Sequence, residues 1–252
     1  MQFPEQILNE FDPISLEEMD DVKLLDRTDT KYILASSQLP SVLSRLSKSY
    51  RVLEVNGARI SRYETLYYDT EDFQLYLAHQ NKKANRYKIR ARKYVDSDLH
   101  FFEIKLKNNK GRTIKERVKT KSIKETLGEK ASAFLRERTQ FDPAAMKPKI
   151  WVNYTRITLV NTDTKERVTI DSQLCFEKDK IKKPFGHIAI VEVKQAKAST
   201  SVFGKLMREM HIESGSMSKY CIGVTQFYDS IKKNNFKPRL LFLNKIAHAI
   251  KY

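Results

Sequence analysis

Charged side chains recur at every second position in five short segments of this sequence: Arg27-x-Asp29-x-Lys31, Lys88-x-Arg90-x-Arg92, Glu103-x-Lys105-x-Lys107, Arg167-x-Thr169-x-Asp171 and Glu192-x-Lys194. Successive side chains of a strand point to opposite faces, so each segment shows its charges on one side. The intervening residues of the clearest cases are apolar: Phe102, Ile104 and Leu106; Val168 and Ile170; Val191 and Val193. A half-buried sheet with a solvent face can show this pattern once or twice. Five occurrences, with Lys and Arg outnumbering the acids, point to strands arranged around a charged interior. A cation cluster is tolerable there only if it is wet and meets anions, because desolvating unpaired charge is costly. The chemistry implied is the binding of a polyanion in a pocket or tunnel.

The bulk charge agrees with this and is less specific. The 252 residues carry 47 Lys and Arg against 31 Asp and Glu, a formal net charge of +16. Such an excess favours nucleotides, polyphosphate, nucleic acid or an acidic membrane surface, and fits a merely solvated basic surface as well. Hydrophobic residues at 40% and charged residues at 31% give a soluble globular balance and enough chain for a substantial core. Cys175 and Cys221 stand far apart, without metal or redox spacing, and read as packed thiols of a reduced, cytoplasmic protein. Residues 1–12 lack the basic start and apolar stretch of a signal peptide, and no apolar run nears the ~20 residues that span a bilayer. The five histidines are scattered, and no P-loop, nucleophile elbow or Rossmann glycine pattern occurs.

The elements that must position the charges follow from periodicity. Strands are expected at 27–34, 62–69, 86–94, 100–107, 112–119, 150–160, 165–171 and 187–195, with turn residues at 96–98, 108–111 and 161–164 joining hairpins. Helical spacing predicts helices within 12–25 (starting near Ser15), 38–48, 73–83, 122–138 and from 201 onward. Gly215 to Ser218 break the last stretch, with Ser218 as the cap of the following helix, and 240–250 form an amphipathic closing helix. The expectation is a single α+β domain over 1–252 with about eight strands and peripheral helices.

In order along the chain, Arg27-Thr-Asp-Thr-Lys-Tyr32, Tyr67-Tyr-Asp-Thr70, Tyr87-Lys-Ile-Arg-Ala-Arg92, Phe102-Glu-Ile-Lys105, Asn153-Tyr-Thr-Arg156, Arg167-Val-Thr-Ile-Asp171, Val191-Glu-Val-Lys194 and Ser218-Lys-Tyr220 resemble the VTC domain. This is the polyphosphate-polymerase branch of the triphosphate tunnel metalloenzymes. The resemblance implies a closed antiparallel eight-stranded β tunnel that binds a triphosphate with Mn²⁺ or Mg²⁺ and transfers the γ-phosphoryl group of ATP to a growing polyphosphate chain. Carried over residue by residue, it implies catalytic roles for Lys31, Arg90, Arg92, Lys105 and Lys219. Phosphate binding falls to Arg156, Arg167, Lys194 and, from the 112–119 strand, Lys115. Glu192 is the implied metal carboxylate, helped by Glu103 or Asp171. Tyr67, Tyr87 and Tyr154 are expected to pack rather than to stack on bases.

Two departures bear on function. The hydrolase and cyclase branch carries Glu-x-Glu-x-Lys near its start, where this chain has Arg27-x-Asp29-x-Lys31, a cation replacing the first acid. The sequence also shows neither the SPX sensor domain nor the membrane helices of the eukaryotic polymerase subunits, so their control and translocation are not expected here. Arg90 and Arg92, on one face, suit paired N–H donation to successive phosphates, and phosphoryl transfer asks the protein mainly for positioning and charge neutralisation. A metal-dependent triphosphatase and a non-catalytic polyphosphate- or nucleotide-binding protein remain alternatives. A nucleic-acid binder would instead need exposed basic and aromatic residues on an outer surface.

Overall fold

Alternation of apolar and charged residues builds one sheet whose two faces do opposite jobs. The computed structural model describes residues 5–20, 27–196 and 200–249. Along the chain the strands are β1 (Pro13–Ile14), β2 (Arg27–Ala35), β3 (Arg51–Leu53), β4 (Ser61–Asp69), β5 (Arg86–Tyr94), β6 (Leu99–Lys107), β7 (Thr113–Thr120), β8 (Lys147–Asn161), β9 (Glu166–Lys178), β10 (Ile181–Phe185) and β11 (Ile188–Ala196). The helices are α1 (Glu5–Leu8), α2 (Leu16–Asp20), α3 (Leu39–Leu46), α4 (Gln74–Gln80), α5 (Glu129–Arg138), α6 (Val202–Glu209), α7 (Lys219–Phe227) and α8 (Lys237–Ala249). The main path runs β2-β11-β9-β8-β4-β5-β6-β7, every pairing on it antiparallel. β1, β3 and β10 attach beside it.

The outer face is apolar and covered by helices. Tyr32 and Leu34 of β2, Val191 and Val193 of β11, and Val168 and Ile170 of β9 pack under α3 and α6. The helical spacing of Leu39, Val42, Leu43 and Leu46 puts all four into that layer. On the other flank Leu66, Tyr68, Ile89, Phe102 and Ile104 pack under Ala131 and Leu135 of α5. Each such fully buried side chain stabilises the fold by roughly 1.5–3 kcal/mol.

The inner face changes character along its length, and a bulge makes this possible. Arg167, Thr169 and Asp171 occupy the odd positions of β9, whereas the buried residues Leu174 and Phe176 sit at even ones. Gln173, at φ 51°, and a register shift opposite Asn153 and Thr155 supply the extra residue that flips the parity. Both the charged and the apolar halves of β9 thereby serve the interior. The apolar half receives α7, whose residues Tyr220 to Thr225 are all buried. Gly223 permits this docking: a Cβ there would lie 2.8 Å from Cδ1 of Phe176.

Asp69 holds this arrangement together. Its buried carboxylate accepts backbone N–H bonds from Thr70, Leu75 and Tyr76 at 2.8 Å each, capping α4, and accepts the Tyr220 hydroxyl of α7. Replacing Asp69 by Ala is expected to cost about 3 kcal/mol, from lost capping and orphaned donors. Chemical denaturation with an unchanged m-value checks this.

The structure corrects several expectations. Among the described residues the sheet has eleven strands and its eight-strand main path is open, with β2 paired to β11 at one end, β7 paired to β6 at the other, and no pairing between β2 and β7. The free edge of β2 is occupied instead, since Gly215 N donates to Lys31 O at 2.7 Å and Tyr32 forms a bridge with Ser214. The helix expected over 122–138 is confined to Glu129–Arg138, because Gly128 is its N-cap and the preceding residues form an irregular, bent segment that supplies the Lys124 carbonyl to the Tyr68 hydroxyl. The helix near Ser15 is present as α2, with Ser15 and Glu18 making reciprocal capping bonds. Its expected continuation over 21–25, and the last residue of the 240–250 helix, lie outside the described residues. The Ser218 hydroxyl caps α7, accepting from Cys221 N at 3.2 Å. Among the described residues no helix is long and apolar enough to cross a membrane.

Candidate functional site

Cross-strand register stacks the interior charges in layers. Lys88 of β5 faces Lys105 of β6, which faces Lys115 of β7; one step along, Arg90 faces Glu103, which faces Arg117. On the opposite wall Lys31 of β2 faces Glu192 of β11, and Lys194 faces both Asp29 and Arg167. Lys115 and Arg117 of β7 therefore share the sheet face of Lys105 and Glu103.

The carboxylates organise the cations into three groups. Glu103, 1% exposed, accepts Arg90 Nε at 2.7 Å, with Lys115 Nζ at 2.7 Å and Arg92 Nη1 at 3.9 Å. Asp171 takes a two-pronged contact from Arg156, Nε to Oδ1 at 2.5 Å and Nη2 to Oδ2 at 2.8 Å, and also receives Lys219. Glu192 bridges Lys31 at 2.8 Å and Lys194 at 2.9 Å. Burial pushes all three carboxyls up, but the neighbouring cations outweigh it and hold each one well below the usual carboxylate range.

Aromatic faces carry part of the remaining positive charge. Tyr63 and Tyr154 stack at 5.1 Å, 3° from parallel. Arg92 and Arg156 lie 5.3 and 5.1 Å from the Tyr63 ring, and Lys219 Nζ lies 4.7 Å from the Tyr154 ring. Tyr67 accepts Arg90 Nη1 at 3.1 Å. Burial would raise its phenol, but Arg90, Arg92 and Lys88 bring it down to about 8.

Two ammonium groups are left over. Lys88 and Lys105 have no carboxylate within 4.0 Å among the described residues, although they face each other across β5 and β6. Burial lowers the pKa of Lys88, and burial together with Lys88 takes Lys105 down to about 8. Both line a cavity of about 1060 Å³ beside the occupied edge of β2, under residues 213–218 and the start of α8. Its walls bring six Lys and Arg side chains against two carboxylates, Asp29 and Glu213.

A polyanion bound here would raise the Lys105 pKa and draw in protons. Affinity for tripolyphosphate is therefore expected to be highest below about pH 8 and to fall about tenfold by pH 9, as Lys105 deprotonates. Titration calorimetry in two buffers of different ionisation enthalpy would show proton uptake near pH 8.

The residues singled out from sequence are thus brought to one interior, with Arg167 on the same inward face through its pairing with Lys194. The proposed metal carboxylates are not brought together. Glu192, Glu103 and Asp171 each head a separate ion-pair group, and no cluster of three metal-ligating side chains exists among the described residues. Glu103 and Asp171 are buried among the cations they hold. Glu192 is 25% exposed and has one ammonium on each oxygen, which leaves lone pairs for an ion shared with phosphate oxygens. The donor set fits a divalent cation arriving with a triphosphate, not one held in an all-protein cage. Lys88 is signalled by its spacing from Arg90 and Arg92 and sits within the Tyr87–Arg92 motif, yet the family resemblance gives it no role. Arg86 and Arg239 join the cavity from positions no motif indicated, and Lys107 joins it from the end of the Glu103-x-Lys105-x-Lys107 segment.

Comparison with known proteins places this geometry. The structure is similar to that of a "putative adenylate cyclase" from Bacillus halodurans, with a TM-score of 0.51 and 14% identity over 81% of this chain and 97% of that one. A "putative adenylyl cyclase" from Hippeastrum, described as having a dominant triphosphatase activity, gives a TM-score of 0.49 at 14% identity, covering 80% and 96%. A protein from Pyrococcus horikoshii OT3 gives 0.47 at 13%, covering 79% and 99%. No curated protein sequence matches the chain significantly. At this identity the Bacillus halodurans structure shows a shared triphosphate-tunnel fold and nothing finer. The VTC domain model matches residues 26–228, which include every interior residue discussed above except Arg239, and the chain belongs to the VTC domain family.

Proposed function

We propose that the protein is a polyphosphate polymerase: it binds ATP with a divalent cation, Mn²⁺ or Mg²⁺, and transfers the γ-phosphoryl group to a polyphosphate chain held among its interior cations. The observation that carries this reading is the pair Lys88 and Lys105, two half-buried ammonium groups with no carboxylate within 4.0 Å among the described residues, facing an open cavity. Uncompensated buried charge is costly, and the cost is offset when an anion arrives.

The residues divide the work by their surroundings. Arg90, Arg92 and Arg156 are fixed by Glu103, Asp171 and the tyrosine rings, so their N–H donors are preorganised for phosphate oxygens and need little rearrangement on binding. Lys31, Lys88, Lys105 and Lys219 act as point charges along the chain, and Lys115, Lys194 and Arg167 extend the basic wall. Repulsion between donor and acceptor phosphates is the main obstacle to in-line attack, and this array reduces it. Glu192 would hold the divalent cation, which when bound neutralises charge on the phosphate oxygens. The same geometry would serve a triphosphatase if water replaced the chain as acceptor. The cation at Arg27, where that branch has an acid, favours the polymerase.

The test is Glu192→Gln. ADP formation from ATP with Mn²⁺ should fall at least about 100-fold while tripolyphosphate affinity is kept or increased, since an anion that repels phosphate is gone. Unchanged ADP formation would remove Glu192 from the reaction. Turnover by neither protein, with tripolyphosphate still bound, would leave a binding protein.

A further inference from the structure

The VTC match ends at residue 228, and α8 (Lys237–Ala249) lies beyond it. Its first two turns nevertheless form one wall of the cation cavity, through Pro238, Arg239 and Phe242. Arg239 has no carboxylate within 4.0 Å among the described residues, although Glu213 lines the same cavity. What holds its guanidinium is apolar and steric. The group lies 5.2 Å from the Phe242 ring, and it rests on Gly215, where a Cβ would come within 3.0 Å of Nη1 and 3.1 Å of Nη2. Gly215 is itself tied to β2 by its N–H bond to Lys31 O, at the residue that grips Glu192.

We propose that Arg239 is a further phosphate-binding residue, which grips a polyphosphate chain where it leaves the interior past Lys88 and Lys105. The proposal rests on the polyanion reading of the interior and adds a specificity to it: Arg239 senses chain length. Three features of the cavity support this. Lys31, Lys88 and Lys105 form its inner side, so the same space is continuous with the proposed transfer site. Arg86 and Lys107, register partners at the ends of β5 and β6, carry positive charge outward from Lys88 and Lys105 along one face. Arg239 stands across that space on a different element, so a chain following the cations passes between two basic walls. A guanidinium with no acid partner, backed by an aromatic ring and a glycine, keeps its N–H fork for an oxyanion. A short ligand seated at Arg90 and Lys105 does not need it. A chain extending outward does.

Binding decides the matter without turnover. Tripolyphosphate and a long-chain polyphosphate are titrated into the full-length protein, its Arg239→Gln variant and its Gly215→Val variant. Gly215 has ordinary negative-φ backbone, so the valine displaces the flexible end of Arg239 and leaves its charge in place. Both variants should lose about tenfold in affinity for the long chain, roughly the strength of one charge-assisted contact, and keep tripolyphosphate affinity within about twofold. Arg239→Lys should recover part of the loss. Equal losses for both ligands, or no loss for either, would overturn the proposal while leaving the interior site standing. Binding of neither ligand by the unaltered protein would overturn both this proposal and the polyanion reading beneath it.

Discussion

Replacing Lys88 and Lys105 together by methionine is expected to make the protein more stable and nearly unable to bind its ligand. Methionine keeps the approximate volume and removes two ammonium groups that burial disfavours and that no carboxylate contacts within 4.0 Å among the described residues. The sign follows from linkage. Lys105 has its pKa lowered to about 8 in the folded protein, so at neutral pH folding must keep it charged against its environment. Taking away the charge removes that cost, on the order of 1–2 kcal/mol after allowing for the part of the side chain that water still reaches. For a chain of this size such a gain raises the melting temperature by roughly 2–8 °C. Tripolyphosphate affinity should move the other way by at least about 100-fold, since each lost charge-assisted contact is worth about 1.5–3 kcal/mol. Thermal melts and titration calorimetry on the same samples check both. A variant that loses stability would show the two lysines to be part of the structural framework.

Asp171→Asn should do the opposite. It leaves Arg156 and Lys219 facing each other in a buried site with the acid that joined them neutralised. Breaking a buried pair from one side costs about 3–5 kcal/mol, which corresponds to a melting temperature lower by roughly 6–20 °C. Tripolyphosphate should restore part of this, because its oxygens replace the missing carboxylate charge. The pH dependence agrees in sign: the carboxyl of Asp171 is held below its unfolded value, so its contribution is present above that value and lost as pH falls through the folded one. The variant also separates two roles. If Asp171 were a metal ligand, Asn would weaken metal affinity, raise the metal concentration needed for activity, and leave stability in chelator-treated buffer unchanged.

How far the sequence reached depended on whether the relevant signal was local. Period-two alternation identified the strands that carry Arg90, Lys105, Arg167 and Glu192, because sheet geometry turns spacing directly into facing. It also predicted that the charges would be interior, since Val191, Val193 and Ile170 had to be buried on the other side. The strand at 165–171 was expected to end where alternation fails. The chain in fact continues to Lys178 through the bulge at Gln173, a change of parity that periodicity cannot tell from a strand end. The open edge was not legible either. It depends on Ser214 and Gly215 reaching β2 from nearly two hundred residues away, a contact without local signature. The metal roles of Glu192, Glu103 and Asp171 are what the family resemblance implies. Their neighbours, visible only in three dimensions, make Glu103 and Asp171 the anchors that aim Arg90, Arg92 and Arg156. Arg239 sits in a stretch whose pattern says only amphipathic helix.

The most direct measurement is of the phosphorus products formed when the full-length protein is incubated with ATP and Mg²⁺ and followed by ³¹P NMR. The account predicts ADP together with a growing resonance of internal polyphosphate groups and little orthophosphate. Orthophosphate rising in step with ADP, with no chain resonance, would contradict it and make the protein a triphosphatase.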